Sequence, residues 1–485
     1  MMPIRPVVAF AFVWLVWLGA AAQTPDAADR IRQVEKNLIA TAHIEEDSTH
    51  TIQERMAFYH IQGLSIAVIH NYKLEWAKGY GWADRDQKIP VTTETLFQAG
   101  SISKSLNSVG LLKLAQDKRV DLYADINTYL RSWKFPYDSV SGGIKISIAD
   151  LLSHTAGINL HGFRGYEKGS EIPTVPEILD GKKPANSRPV RSKNIPGLKY
   201  DYSGGGVIIS QLIAMDVSGM AYDKYMYDSV LKPFGMTSST FQQPPVGKNP
   251  TIISTAYYAN GKEVPGKYHI YPEQAAAGLW TTPTDLSKYI IETQLAYEGR
   301  SEKVLNQQMT NLMLTPYHNK GAALGVFMDY FPYGVKYFKH AGVDEGFESH
   351  YYGSLPGGNG VVVMVNTENG SVIIPEIINS VAKVYGFKEL YRSKVIRPII
   401  ADAILQSYVG QYEPGPNALI TITKDGYNLF VEQTGGPKLR IFPETESKFM
   451  VSEMHAEIIF VKDGNGHITG LVMRQNGDQK AQKIK

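Results

Sequence analysis

The sequence predicts an α+β body, an antiparallel sheet flanked by helices, followed by a small C-terminal all-β barrel or sandwich. Three observations carry this expectation. Alternating, branched-residue segments occur early, at 64–69 and 74–79, and return at 335–366, with helical and loop-rich sequence between them. A sheet completed by both ends of one domain produces that order. Beyond about Arg397 the texture changes to short alternating segments separated by Asp-Gly, Gly-Gly and Asn-Gly pairs, the marks of tight turns between short strands. The expected boundaries are a leader over 1–22, the body over 30–395 and the terminal β unit over 403–485.

The elements follow in chain order. Arg5, an apolar run over 7–18, and the small residues Gly19, Ala20, Ala21 and Ala22 before Gln23 predict a secretory signal peptide cleaved after Ala22. With it comes the expectation of a bacterial periplasmic or secreted location. The run is shorter than the roughly 20 residues a bilayer span needs, so no transmembrane segment is expected in the mature chain. Residues 31–56 place charges and apolar residues at helical spacing. Segments 64–69 and 74–79, joined by His70-Asn71-Tyr72-Lys73, read as a β-hairpin. Residues 106–114 carry apolar residues at helical spacing, so Ser101 opens an amphipathic helix just after the Gln98-Ala99-Gly100 turn. Between about 135 and 275 Pro and Gly recur, with a helix legible at 207–217. Residues 360–366 read as a buried strand and 375–385 as a closing helix. In the terminal unit, strands are expected at 419–423, 428–432, 457–461 and 470–474.

Composition excludes several classes. A chain of 485 residues, 43% hydrophobic and 20% charged, is ordinary for a globular protein with a large core. Its net charge of +2 comes from scattered Lys and Arg, so no nucleic-acid partner is expected. There is no cysteine, which excludes disulfides, a thiol nucleophile, thiolate metal sites and a lipoprotein anchor. No His-Glu-x-x-His pair occurs, so neither a metal nor any other cofactor is expected.

Three elements carry chemistry. Ser101 and Lys104 stand three residues apart on a helix and so share a face, where the amine can take the hydroxyl proton. A helix N-terminus beside Ser101 favours developing negative charge. Ser-x-x-Lys also occurs at Ser229 with Lys232 and at Ser380 with Lys383, so the pattern alone does not decide. Ser229 precedes a helix end at Gly235, and Ser380 lies within a helical pattern near the end of the body. The second element is Tyr202, followed by Ser203, Gly204, Gly205 and Gly206, a glycine-rich loop whose backbone can approach a ligand or take positive φ. With 29 tyrosines in the chain, a packed aromatic is the plain alternative. The third is Lys339-His340-Ala341-Gly342, on a strand whose alternation sends Lys339 and His340 to opposite faces, so that only one of them faces a bordering site.

In this order and at this separation the three elements resemble the penicillin-recognising serine hydrolases. These include class C β-lactamases, D-alanyl-D-alanine carboxypeptidases, D-aminopeptidases and β-lactamase-like esterases. Their pattern is Ser-x-x-Lys, Tyr-x-Asn, and Lys-Thr-Gly or His-x-Gly. Leu151-Leu152-Ser153-His154-Thr155-Ala156-Gly157, Ala277-Gly278-Leu279-Trp280-Thr281-Thr282 with Asp285, and Glu345-Gly346-Phe347 match as well. The resemblance implies a β-lactamase/transpeptidase-like sheet and spans roughly 55–390. It also implies that Ser101 is acylated, that Lys104 shares its proton and that Tyr202 is the base or relay. His340 would stand where many relatives have Lys, binding a substrate carboxylate or supporting the proton network. The N–H groups of Ser101 and Val343, just past Gly342, would form the oxyanion hole. The family's Asn corresponds to Gly204, so the side chain that binds the substrate amide is missing. The C-terminal segment resembles the lipocalin-like domains appended to some relatives.

The function expected is hydrolysis, through a Ser101 acyl-enzyme, of an ester or of a peptide or amide involving a small or D-amino acid. The partner is then a small molecule or short peptide. β-Lactam hydrolysis and D-alanyl-D-alanine carboxypeptidase activity are alternatives within the class. A catalytically silent binder of peptidoglycan peptides or other small ligands is the alternative outside it.

Overall fold

His70, Asn71, Tyr72 and Lys73 make the tight turn that the alternating sequence around them requires. Asn71 and Tyr72 take φ of 52° and 62°, the left-handed pair used by two-residue hairpin loops. The turn joins β1 (Gly63–His70) to β2 (Lys73–Asp84). The computed structural model describes residues 25–485, apart from residues 41, 44–48, 246–248, 250–251, 393, 396–399, 417, 452–455 and 476. The expected signal peptide and its cleavage point therefore lie outside the described residues, as does Arg397. Among the described residues no single helix is long and apolar enough to cross a membrane.

After β3 (Ile89–Pro90), the strands resume near the far end of the body as β4 (Phe327–Tyr330), β5 (Lys336–Asp344), β6 (Phe347–Leu355) and β7 (Gly360–Val365). They form one antiparallel sheet in the order β3-β2-β1-β7-β6-β5-β4, with Leu64 opposite Val365 and Val68 opposite Val361 where the two ends of the body meet. The expected completion of one sheet from both ends is what forms. β1 and β7 are buried along nearly their whole length because both sheet faces are covered. Leu64, Ile66 and Val68 join one core layer, and Ala67 and Ile69 the other.

Five long helices flank the sheet: α1 (Pro25–Lys36), α2 (Ser103–Gln116), α3 (Gly204–Ser218), α4 (Pro283–Tyr297) and α5 (Gly370–Tyr385). Ile31 and Val34 of α1 and Ile373, Ile377 and Val381 of α5 cover one face. Leu286, Tyr289 and Ile290 of α4 cover the other, with α2 and α3 in the same core layer. The helical pattern over 31–56 resolves into two pieces, the end of α1 and a separate helix, Ile52–Phe58. The second is fixed to α5 through the buried Arg55–Glu376 ion pair, to which the Tyr59 hydroxyl adds a 2.8 Å bond. α5 begins at Gly370, so Pro375, expected at the helix start, lies inside it.

One expectation fails instructively. α2 is not amphipathic. It is buried continuously from Ser103 to Leu112, and its polar residues bond across the interior. Ser105 Oγ donates to the Gly325 carbonyl at 2.9 Å and Ser108 Oγ to the Leu324 carbonyl at 2.7 Å. Asn107 Nδ2 donates to Ser210 Oγ at 2.9 Å, and the Tyr222 hydroxyl donates to Asn107 Oδ1 at 2.9 Å.

The terminal unit is a closed eight-stranded barrel from Gly410–Gly415 to Asp478–Lys483, which decides between the barrel and the sandwich. All four expected segments lie in its strands. Its interior is filled by side chains such as Ile422, Leu429, Phe449 and Leu471. Tyr408, from the helix Asp402–Tyr408 leading into the barrel, stacks on Phe460 with ring centres 4.0 Å apart.

Candidate active site

The nucleophile turn is held by strand pairing before it and by the sheet beside it. Phe97–Gln98 pairs with Trp280–Thr281, and the Ala99 N–H donates to the Leu279 carbonyl at 2.9 Å. Gly100 then takes φ of 51° to start a single 3-10 turn, Gly100–Ile102, that runs directly into α2. Ser101 thus sits at a helix start, as its sequence predicts. The turn lies against β5 with no room to spare. A Cβ on Gly100 would come 2.5 Å from the Val343 nitrogen, and one on Gly342 would come 1.9 Å from the Ala99 carbonyl oxygen. Both glycines are there because backbone meets backbone. The close approach brings Ser101 and Val343 to the edge of one cavity of about 810 Å3.

One helical turn beyond Ser101, Lys104 is 3% exposed. Its Nζ lies 2.8 Å from Ser101 Oγ and donates to the Ala276 carbonyl at 2.7 Å. The carbonyl orients the amine, and the remaining valence faces the serine. The same nitrogen lies 5.1 Å from the centre of the Tyr202 ring. Tyr202 is held between two imidazoles, His154 at 4.2 Å and His161 at 4.7 Å between ring centres. His154 Nδ1 accepts from the Ser203 N–H at 3.2 Å, which puts the ring proton on Nε2. Burial and then Lys104 hold His154 well below the usual histidine range, and the same two causes lower His161.

The glycines after Tyr202 correct another expectation. They do not form a loop of positive φ but the first turn of α3, capped by Ser203 Oγ, which accepts from the Gly206 N–H at 2.9 Å. They are small because this turn packs on the segment 159–163. A Cβ on Gly205 would meet the Asn159 carbonyl at 2.7 Å, and one on Gly204 would meet the His161 carbonyl at 3.0 Å and the Phe163 ring at 3.1 Å.

On β5, His340 is buried against Phe327 of β4, ring centres 5.1 Å apart. Its Nδ1 lies 2.6 Å from the Ala341 carbonyl and so carries the proton, while Nε2 has no partner. Burial and then Lys104 push its pKa down to about 3. Lys339 and His340 both border the cavity, against the expectation that only one would. The alternation nevertheless holds for the side chains, since the Lys339 ammonium bonds Asp329 at 2.8 Å and lies over Tyr352. Asp344, which ends β5, also lines the cavity. Burial pushes its carboxyl well above the usual range, against the pull of Lys104 and a bond from the Gly100 N–H. Behind it, Glu273 is fully buried with neither oxygen partnered, and burial pushes its pKa up to about 8.

The fold and this geometry agree with the comparison to known proteins. The Beta-lactamase family model matches residues 49–376. The chain belongs to the β-lactamase family. Protein flp of Staphylococcus aureus (strain N315) is 27% identical over 334 residues, covering 66% of this chain and 62% of that protein. The chain thus spans about 62% of the length of that relative. The putative penicillin-binding protein PbpX of Bacillus subtilis (strain 168) is 25% identical over 311 residues, covering 63% of this chain and 70% of that protein. Among solved structures, the octameric penicillin-binding protein homologue from Pyrococcus abyssi aligns with a TM-score of 0.59 at 21% identity, covering 89% of this chain and 98% of that one. FmtA from Staphylococcus aureus aligns at 0.53 and 20% identity, covering 72% and 87%. At these identities the structural likeness is one of fold.

Within this family framework, Ser101, Lys104, Tyr202, His340 and Val343 come together at one cavity, whereas Gly342 and Gly204, expected at the substrate, are not part of its wall. The other two Ser-x-x-Lys pairs do not reach it. Ser380 Oγ, on α5, donates to the Val34 carbonyl of α1, and Ser229 lies just before a helix end capped by Gly235. Sequence reasoning missed His161, Phe163, Phe327 and Asp344 as lining residues. None of the four belongs to a motif that the sequence singles out.

Proposed function

We propose that the chain is a serine hydrolase that cleaves an ester, or a peptide or amide bond involving a small or D-amino acid, through a Ser101 acyl-enzyme. The 2.8 Å contact between Lys104 Nζ and Ser101 Oγ, inside a cavity that Tyr202 also lines, carries this reading. Ser101 Oγ attacks the carbonyl carbon and its proton passes to the Lys104–Tyr202 pair. The oxyanion forms opposite the Ser101 and Val343 N–H groups. The carbonyl–leaving-group bond breaks, and the leaving group departs with that proton or as a stable anion. Where the leaving group departs as an anion, the pair first gives its proton to solvent; water then attacks the acyl-enzyme, its proton passing to the pair and from there to Ser101 Oγ as the acyl–oxygen bond breaks and the acid is released. His340, with its Nε2 unpartnered and its ring held toward the neutral form by burial and Lys104, fits the proton network better than an anion-binding role.

Gly204 favours esters over β-lactams within the class. A missing hydrogen-bond contact to the substrate amide costs about 1–3 kcal/mol, one to two powers of ten in rate. Activated esters depend on it less. A fluorophosphonate probe should label Ser101, and Ser101→Ala should abolish labelling and ester turnover in a folded protein. p-Nitrophenyl esters should exceed nitrocefin in kcat/KM. Labelling at another serine would overturn the assignment. Nitrocefin turnover above ester turnover would favour a β-lactamase, and a folded chain that no probe acylates would be a binder.

A further inference from the structure

We infer that the acyl pocket takes an uncharged, flat apolar acyl group and discriminates against one that carries a carboxylate. The inference rests on the acyl-enzyme reading above and names the substrate class of that same site. Three observations carry it.

First, the space beside Gly204 is closed. An added Cβ there would meet the His161 carbonyl at 3.0 Å and the Phe163 ring at 3.1 Å. The position from which an amide side chain would reach the substrate therefore has no room for one and abuts an aromatic ring. Second, four aromatic rings line the cavity, Phe163, Tyr200, Tyr202 and Phe327. Phe327 lies 20° from the plane of Tyr202, with Tyr200 edge-on to Phe327 at 6.3 Å. A wall of this kind favours a flat apolar group.

Third, apart from Lys104 no cation lining the cavity is open to a substrate anion. Lys104 is engaged by Ser101 and the Ala276 carbonyl. Lys339 turns its ammonium to the face of β5 opposite His340, where Asp329 holds it. Arg392 reaches the same Asp329 oxygen and is not part of the cavity wall. His340 and His161 are held toward their neutral forms by burial and Lys104, and the His350 ring packs against Tyr352, centres 4.6 Å apart and planes tilted by 31°. Asp344, kept toward its acid form by burial, adds a group that ionises more easily when nothing negative sits beside it. A carboxylate brought into such a pocket loses hydration and finds only Lys104, already bonded to Ser101 and the Ala276 carbonyl.

The test uses the full chain and matched esters with one leaving group. Mono-p-nitrophenyl glutarate carries a free carboxylate, and its methyl ester is the uncharged counterpart. p-Nitrophenyl phenylacetate against the acetate reads the aromatic wall. At neutral pH the methyl ester should exceed the free acid in kcat/KM by more than about tenfold, and phenylacetate should exceed acetate. Asp329→Asn, which releases Lys339, should narrow the first ratio. Phe327→Leu should lower the second by about three- to tenfold, the worth of an aromatic contact. Ratios within one protein cancel losses of folded material. If Ser101 is labelled by a fluorophosphonate but the glutarate acid is turned over as well as its methyl ester, this inference falls and the acyl-enzyme reading stands. If Ser101 is not labelled and no ester is cleaved, both fall.

Discussion

Gly342→Ala tests whether the approach of β5 to the nucleophile turn builds the oxyanion site. The added Cβ would lie 1.9 Å from the Ala99 carbonyl oxygen and 2.7 Å from Ser349 Oγ. A carbon tolerates an oxygen at about 3.3 Å, so strand and turn must separate by about 1.4 Å. Little can absorb this. The Ala99 carbonyl is held by Ser349 Oγ at 3.0 Å, and its own N–H is tied to Leu279 at 2.9 Å. The neighbouring contact, the Gly100 Cα beside the Val343 nitrogen, opens with it. A misplacement of this size costs about 10²-fold in rate, and losing one oxyanion donor costs about 10²–10³-fold, or about 2.7–4 kcal/mol. Overpacking should cost a further ~1–3 kcal/mol of stability. The measurement is kcat/KM on p-nitrophenyl acetate together with the rate of fluorophosphonate labelling, at a temperature where circular dichroism shows the variant folded. A folded variant within about threefold of the parent rate would refute the claim that this contact sets the geometry.

Two further predictions concern the molecule around the site. Glu273→Gln should flatten the decline of stability with rising pH: the parent carboxyl has an ordinary value of 4.5 unfolded and about 8 folded, so its contribution is full below about 4.5 and lost as pH rises through 8, and chemical denaturation at several pH values reads the slope. A chain ended near Val395 should acylate Ser101 at the rate of the full chain, because the barrel closes on its own strands and lends none to the main sheet; a folded truncated protein that resists labelling would place the barrel in the site.

Local pattern was enough for the central strands of the sheet and for four of the barrel's eight strands, but not for the edge strands β3 and β4. Alternation and turn residues are short-range signals, and β1, β2 and β7 obey them because each strand's two faces meet separate core layers. Ser101, Lys104, Tyr202 and His340 were legible because each stands beside a small motif. The walls were not. Phe163 and Phe327 are 164 positions apart in number and meet only through folding, so nothing local distinguishes them from other aromatic residues of the chain. The glycines after Tyr202 were read as loop because glycine weakens helices in general. Here the segment 159–163 leaves no room for a Cβ, and packing overrides propensity.

The misread character of α2 explains how Ser101 and Lys104 keep their register. A helix with one apolar face is free to rotate slightly about its axis without losing much burial. α2 has bonds in several directions instead: Ser105 toward Gly325, Asn107 toward Ser210 and Tyr222, Ser108 toward Leu324. A rotation that relieved one would break another and leave a buried polar group unpaired, at about 1–3 kcal/mol each. Lys104 extends the same set, since its bond to the Ala276 carbonyl is made from the turn that carries Ser105. The polar residues that resembled a solvent face are therefore what fixes the rotation of the nucleophile helix. The 2.8 Å separation of Nζ and Oγ is then a property of the whole helical layer and not of the Ser-x-x-Lys spacing alone. This is also why Ser380 and Lys383, with identical spacing in α5, form no site: Ser380 is bonded to the Val34 carbonyl, and its helix is held by apolar contacts against the far face of the sheet.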